Sequence, residues 1–434
     1  MRMYELIHKK KEGRALTDKE IEFFVRGVTN GEIPDSQTAA LLMAICLKGM
    51  DEREATAMTL AMLASGESAD LSAIPGLKAD KHSTGGVGDS TTPVVIPAVA
   101  SCGLKVAKMS GRALGHTGGT VDKLESVPGV RTDLSTKEFV DTVNRIGCAV
   151  IAQTGTLCPA DKKLYALRDF TATVENDALI ASSIMSKKLA SGADVIMLDV
   201  KYGSGAFLKT PEEAEKLARL MVKIGEGAGR RVGAVISTMD LPLGHAVGNS
   251  LEMYEAADIL CGNAPADKYE LCVALASGML VLAGIAEKEE AEKLIRSKLE
   301  NGEAFAKLCE MLEAQGGDTT MLRCPAKRAY APYKYEVKAD KSGYISFMNT
   351  EEIGLCSGML GEARDTMEGK IDPLAGINII KKTGDKVSPG DVIAVLHTSD
   401  KKVLETVEIR FKNALSYSDE RPAAQPVIYS TVGV

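Results

Sequence analysis

The chain has 434 residues, 45% of them hydrophobic and 26% charged, an ordinary globular composition with length for two or three domains. A net charge of −7, from 52 basic and 59 acidic residues, has the wrong sign for a nucleic-acid binder, and aromatics at 4% with no tryptophan leave little for bases to stack on. Nine cysteines stand singly with no C-x-x-C pair, which fits a reducing cytoplasm, no apolar run reaches the about 18 residues of a membrane span, and no His/Cys spacing suggests zinc.

Residues 1–66 read as short helices. Thr17 to Glu20 forms a capping box opening a helix that stops near Asn30-Gly31. Residues 36–47 are apolar at helical spacing and stop at Gly49, and Asp51 caps a further helix running to Ala64. Residues 71–80, with Pro75-Gly76, read as a connector, and 81–90 as a loop. Strand-like runs at 104–109, 148–153, 193–200 and 231–239 then alternate with helical stretches at 88–102, 136–146 and 211–228. That alternation predicts a parallel sheet covered on both faces, with ligands gathering beyond the strand C-terminal ends. Residues 156–191 break the pattern with two helical stretches, the clearer at 177–190, and read as a return to the helical lobe. The chain then crosses between lobes near 66–80, 153–160 and 190–194, through Gly and small polar residues suited to a hinge. From 332 on, short strands joined by turns resemble a biotinyl-carrier half-barrel lacking its Met-Lys-Met attachment turn. The expected fold is α/β. A small helical lobe spans 1–66 and 156–191, a larger lobe with a mostly parallel sheet spans 80–155 and 192–331, and a C-terminal α+β domain spans 332–434.

Candidate chemistry concentrates in glycine-rich segments. KHSTGGVGDSTT, at 81–92, sets a lysine and hydroxyls among glycines, whose backbone N–H groups can approach an anion closely. It is no Walker loop, since no lysine precedes its hydroxyl residue, and no G-x-G-x-x-G opens a helix after a strand. SGRALGHTGGTVDKLE, at 110–125, follows the strand-like LKVAKM. Together the loops suggest one oxyanion held from two sides. A third segment, LPLGHAVGNSLEMYEA at 241–256, leads into a helix carrying Glu252 and Glu255. Ile180, Ser183 and Lys187 share one face of the 177–190 helix. Of five histidines, His82 lies inside the first loop, where an anion would favour its protonated form. His116 reads as structural, as do the carboxylates of Asp89, Asp122 and Glu125, which would position Lys and Arg.

The two anion loops together resemble the thymidine and pyrimidine-nucleoside phosphorylases: 110–125 matches that family's signature position for position, and 81–92 its phosphate loop. The resemblance spans the whole chain. Lys108-Met109 is closer to the broad-specificity branch, and Ser90 stands where the family pattern has threonine, keeping the hydroxyl. The resemblance implies reversible phosphorolysis of uridine, thymidine or deoxyuridine to the free base and an α-pentose 1-phosphate. It makes Lys81, Ser83, Ser110 and Thr120 phosphate ligands, with Thr92 and Lys108 as additions. It gives His82, Arg168 and Lys187 the leaving base, and Arg168, Ser183 and Lys187 the pyrimidine edge, with Tyr165 and Ile180 lining the pocket. It assigns a monovalent cation, potassium, to Gly88, Ser90, the Leu243 and Ala246 carbonyls and Glu255. It implies phosphate as co-substrate, no organic cofactor and a cytoplasmic homodimer, with no nucleic-acid or membrane partner. The alternatives are a phosphoribosyltransferase such as the anthranilate enzyme, which would bring magnesium, and a non-catalytic nucleoside or phosphate sensor.

Overall fold

A computed structural model describes residues 1–112, 118–153, 157–363 and 370–434. Its spine is five parallel strands: β1 (Lys78–Ser83), β2 (Lys105–Ser110), β3 (Cys148–Ala152), β4 (Val195–Tyr202) and β5 (Arg231–Thr238). They lie in the order β5-β4-β1-β2-β3, with every neighbouring pair parallel. The chain lays β2 and β3 on one side of β1 and then crosses to β4 on the other. The order therefore reverses beside β1, and a ligand crevice is expected beyond the C-terminal ends of β1 and β4. In register there, His82 faces Leu198 and Ser83 faces Asp199.

The strand period places successive side chains on opposite faces. Val195 and Met197 join the core under the helices Thr92–Ser101 and Ala266–Ala283. Ile196, Leu198 and Val200 join the opposite core under Asp177–Ala190 and Pro211–Gly227. β1 departs from the sequence expectation of a connector followed by a loop. Its residues Asp80 and Lys81 are buried, and its burial is offset by ion pairing rather than by apolar packing. The following helix begins at Thr92, not at 88, with Pro93 in its first turn.

The N-terminal helices Met3–Lys11, Asp18–Asn30, Asp35–Lys48 and Glu52–Leu63 share a core with Pro159–Phe170, through Phe24, Leu41, Ala160 and Leu164. Capping boxes at Thr17/Glu20 and Asp51/Glu54 set two of these helix starts. The Asp177–Ala190 helix belongs to both sides: Leu179 packs in the helical core, while Ala181, Met185 and Leu189 pack against the sheet.

The last hundred residues form two small antiparallel sheets around Ile345, Ile377 and Leu396. Two exchanges tie them to the main lobe. Ile428–Val432 pairs antiparallel with β5, and Ala246–Val247 pairs with Gly376–Ile379. The first exchange covers the open β5 edge, which would otherwise present unpaired backbone groups. Among the described residues no helix is long and apolar enough to cross a membrane, and all nine cysteines are free thiols.

Candidate active site

The C-terminal ends of β1 and β2 gather buried cations. The Lys81 ammonium donates to Thr91 Oγ1 at 2.7 Å and lies 3.5 Å from Asp199. Lys108 Nζ donates to the Lys81 carbonyl and lies 3.5 Å from Asp80. Lys188 reaches over from its helix to donate to Asp80 Oδ2 and the Met109 carbonyl, both at 2.9 Å. The loop after β1 is held by Asp89, whose carboxylate accepts from Ser83 Oγ at 2.5 Å and Thr91 Oγ1 at 2.7 Å. Burial pushes Asp89 up, but Lys201, Lys81 and Lys123 outweigh it and hold it well below the usual carboxylate range. Thr92 opens its helix and is buried, Ser110 closes β2, and Thr120 opens the short helix Thr120–Glu125. His116 lies outside the described residues.

The crowding of like charge has a cost. Burial first, then Lys188 and Lys81, push Lys108 down from 10.5 to about 7, against the pull of Asp80. His82 goes well below its ordinary value through burial and the charges of Lys188, Lys108, Lys81 and Lys187. In the free protein burial and these charges oppose the imidazolium, the form that an anion in the loop would favour.

The second cluster sits on the helical side. Lys187 Nζ donates to Ser183 Oγ at 3.0 Å and to the carboxylate of Asp161. Ser183 is buried and Ile180 half-buried on the same helix face. Arg168, buried, donates to the carbonyls of Val174 at 2.7 Å, Leu179 at 3.0 Å and Thr173 at 3.2 Å, and stacks 5.7 Å from the Tyr165 ring. Each of its Nη atoms keeps one further N–H for a ligand. Lys187 and Lys188 are adjacent, yet one faces Asp161 in the helical core and the other Asp80 at the sheet.

Behind the first loop lies the third segment. A side chain on Gly88 would meet the Leu243 carbonyl at 2.5 Å and the Ala246 carbonyl at 3.0 Å, so these groups do converge. Glu255 accepts from the backbone N–H of His245 at 2.6 Å and of Ala246 at 3.1 Å. Between Glu255 and Ser90, however, stands Lys268, whose ammonium donates to Ser90 Oγ at 2.9 Å and to Glu255 Oε2. The oxygens suit a monovalent cation in kind, but this position is filled by a side chain, so the set does not fit potassium.

A model described as the glycosyl transferase family, a/b domain, matches residues 76–305, and that family's helical bundle domain matches 4–66. A pyrimidine nucleoside phosphorylase C-terminal domain matches 344–418. The pyrimidine-nucleoside phosphorylase of Staphylococcus haemolyticus is 51% identical over 94% of this chain and 96% of its own length. Those of Bacillus subtilis and Geobacillus stearothermophilus are 50% and 49% identical, each over 95% of this chain and 96% of theirs. The chain belongs to the pyrimidine-nucleoside phosphorylase family. Its fold is also that of anthranilate phosphoribosyltransferase from Thermus thermophilus, with a TM-score of 0.57 at 20% identity, over 71% of this chain and 99% of that one.

For a member of the phosphorylase family, sequence reasoning missed the partners of its cations. Asp199 pairs with Lys81, Asp161 holds Lys187, and Lys188 ties the Asp177–Ala190 helix to Asp80 of the sheet. Lys123 donates to the Asp89 carbonyl at 3.0 Å and pairs with Glu252 at 2.7 Å, bracing the loop after β1 from the Asn249–Leu260 helix. The available signal was position: Asp80 and Asp199 stand near strand C-terminal ends, and Lys188 directly follows Lys187.

Proposed function

We propose that this chain catalyses the reversible phosphorolysis of pyrimidine nucleosides, uridine, thymidine and deoxyuridine among them, to free base and α-pentose 1-phosphate. One observation carries the reading: adjacent residues join the two clusters beside the His82 strand, Lys188 bonding Asp80 of β1 and the Met109 carbonyl of β2, and Lys187 bonding Asp161 and Ser183. A substrate at His82 thus meets an anion site and a base site together. Lys81, Ser83, Thr92, Lys108, Ser110 and Thr120 take the phosphate. Its oxygen attacks C1′ as the C1′–N1 bond breaks, through an oxocarbenium-like transition state flanked by the nucleophile's negative charge. The bond pair leaves with the pyrimidine, whose growing charge is met by Lys187 and Arg168, with Ser183 on the ring edge and Tyr165 and Ile180 lining the pocket. A neutral His82 still has one ring N–H to donate to the leaving base.

Inorganic phosphate is the co-substrate and no organic cofactor takes part. Potassium at Gly88, Ser90, Leu243, Ala246 and Glu255 is not required in this reading, for the reason given in the next subsection. We read the protein as cytoplasmic, in keeping with its free thiols, and as a homodimer. Tyr4, Leu47 and Phe170 expose apolar surface on the helical side for such a contact. The deciding assay supplies uridine with and without phosphate, a chelator being present throughout. Base release should require phosphate and accept arsenate in its place. Equal release without phosphate means a hydrolase, and a requirement for magnesium favours the phosphoribosyltransferase chemistry.

A further inference from the structure

The region between Ser90 and Glu255 is closed to solvent, and the side chain that fills it carries its own charge. Lys268 is 0% exposed and sits in the first turn of the Ala266–Ala283 helix. Its ammonium bridges Ser90 Oγ and Glu255 Oε2. The Gly244 backbone is folded against the pair: with φ +69, a side chain there would collide with Glu255 Oε2 and meet Lys268 Nζ at 2.8 Å. The helix start is itself pinned, since Asp267 accepts from Lys382 Nζ at 2.6 Å and from the Gly244 N–H at 3.2 Å.

We propose that the Lys268 ammonium is a tethered substitute for the monovalent cation, so that this protein braces its phosphate loop without potassium. An ammonium and a potassium ion carry the same charge and are met by the same hard oxygens, here a hydroxyl and a carboxylate. Both cannot occupy one buried space, because two unit charges a few ångströms apart repel strongly away from water. The tether also removes the entropy cost of capturing a free ion. Ser90 lies two residues before Thr92 and next to Asp89, so the ammonium fixes the loop that the phosphate reading needs. The second strut, Lys123 on the Asp89 carbonyl, comes from the same side through Glu252.

The test uses the full chain, dialysed into tetramethylammonium chloride, with potassium chloride exchanged in at constant ionic strength. Melting temperature and phosphate KM are read for the wild type and for Lys268→Met, and both are soaked with rubidium for anomalous diffraction. The wild type should keep the same melting temperature and phosphate KM in both salts, with no rubidium between Ser90 and Glu255. In tetramethylammonium, Lys268→Met strands the Glu255 charge, so its phosphate KM should rise at least about tenfold and its melting temperature fall. Potassium should restore both, with rubidium now bound. A wild type that responds to potassium, rubidium at that position in the wild type, or a folded variant indifferent to the salt overturns the proposal. Should the variant fail to fold in either salt, the wild-type arms decide alone. The KM arm rests on the phosphorylase reading, whereas melting and diffraction do not, so the two can fail separately.

Discussion

Replacing Lys108 by methionine asks whether the cation cluster at the sheet edge is built for an oxyanion. Lys108 is pushed from 10.5 down to about 7 by burial, Lys188 and Lys81. At about 1.4 kcal/mol per pH unit, that drop sets roughly 5 kcal/mol against the charged ammonium in the phosphate-free protein. Between about pH 7 and 10.5 the unfolded chain binds a proton there that the native chain does not. Native stability therefore rises with pH through that window, and the penalty is fully present below about 7, where the lysine is charged in both states. Bound phosphate offsets the repulsion. If it returns about two pH units of the drop, Lys108 contributes about 2.7 kcal/mol, or about a hundredfold in phosphate affinity. That contribution is largest where the lysine is already protonated and fades as pH climbs through about 7. The assay is phosphate KM for wild type and Lys108→Met across the pH range where both are folded; phosphate's own titration is common to both and cancels in the ratio. The ratio should approach about a hundredfold at about pH 6 and shrink above about pH 7, while the phosphate-free variant melts no lower than wild type at about pH 6. A ratio near one throughout, or flat across pH, refutes the reasoning.

On the base side, Lys187→Met should cut kcat by about 10²–10³-fold, as loss of a donor to developing charge does, while phosphate still raises the melting temperature as in wild type. Loss of the phosphate effect along with kcat would remove Lys187 from the base. Asp161→Asn weakens a charge-assisted hydrogen bond worth about 1.5–3 kcal/mol, so steady-state kinetics should show kcat down by about 10–100-fold; unchanged kcat makes Asp161 structural only. Phosphate and a nucleoside analogue together, bridging both clusters, should shrink the radius of gyration in small-angle scattering; no change with both bound would rule out closure between the helical and sheet lobes.

Most of the scaffold was legible because it is built from ordinary signals. Thr17/Glu20 and Asp51/Glu54 announce helix starts, and the apolar runs of β2 to β5 announce buried strands. β1 was not legible, and for a physical reason. Its sequence, KADKHS, is polar, and its buried charges are balanced by residues far along the chain: Lys188 meets Asp80 across 108 positions. Periodicity reports burial against apolar neighbours and is blind to burial against an opposite charge. The same blindness hid Lys268, a lysine that composition assigns to the surface but that meets Ser90 across 178 positions. The exchange of Ile428–Val432 onto β5 was hidden differently, since a strand run does not name the edge it will cover. The individual site residues came from resemblance.

The Asp177–Ala190 helix links these strands of evidence. Its residues alternate in allegiance, Leu179 to the helical core and Met185 and Leu189 to the sheet, and the alternation extends to its charges. Lys188 is buried and holds Asp80 and the Met109 carbonyl, so this end of the helix is fastened to β1 and β2. Lys187 is partly exposed and holds Asp161 of the Pro159–Phe170 helix. Adjacent residues are thus fastened to opposite sides of the crevice by ion pairs of unequal burial. Breaking the buried Lys188–Asp80 pair would strand a charge and cost several kcal/mol, whereas the half-open Lys187–Asp161 pair can exchange partners at much lower cost. On the proposed reading, a motion that brings base and phosphate together would pivot near Lys188 and spend its freedom at Lys187, the residue that would release toward substrate.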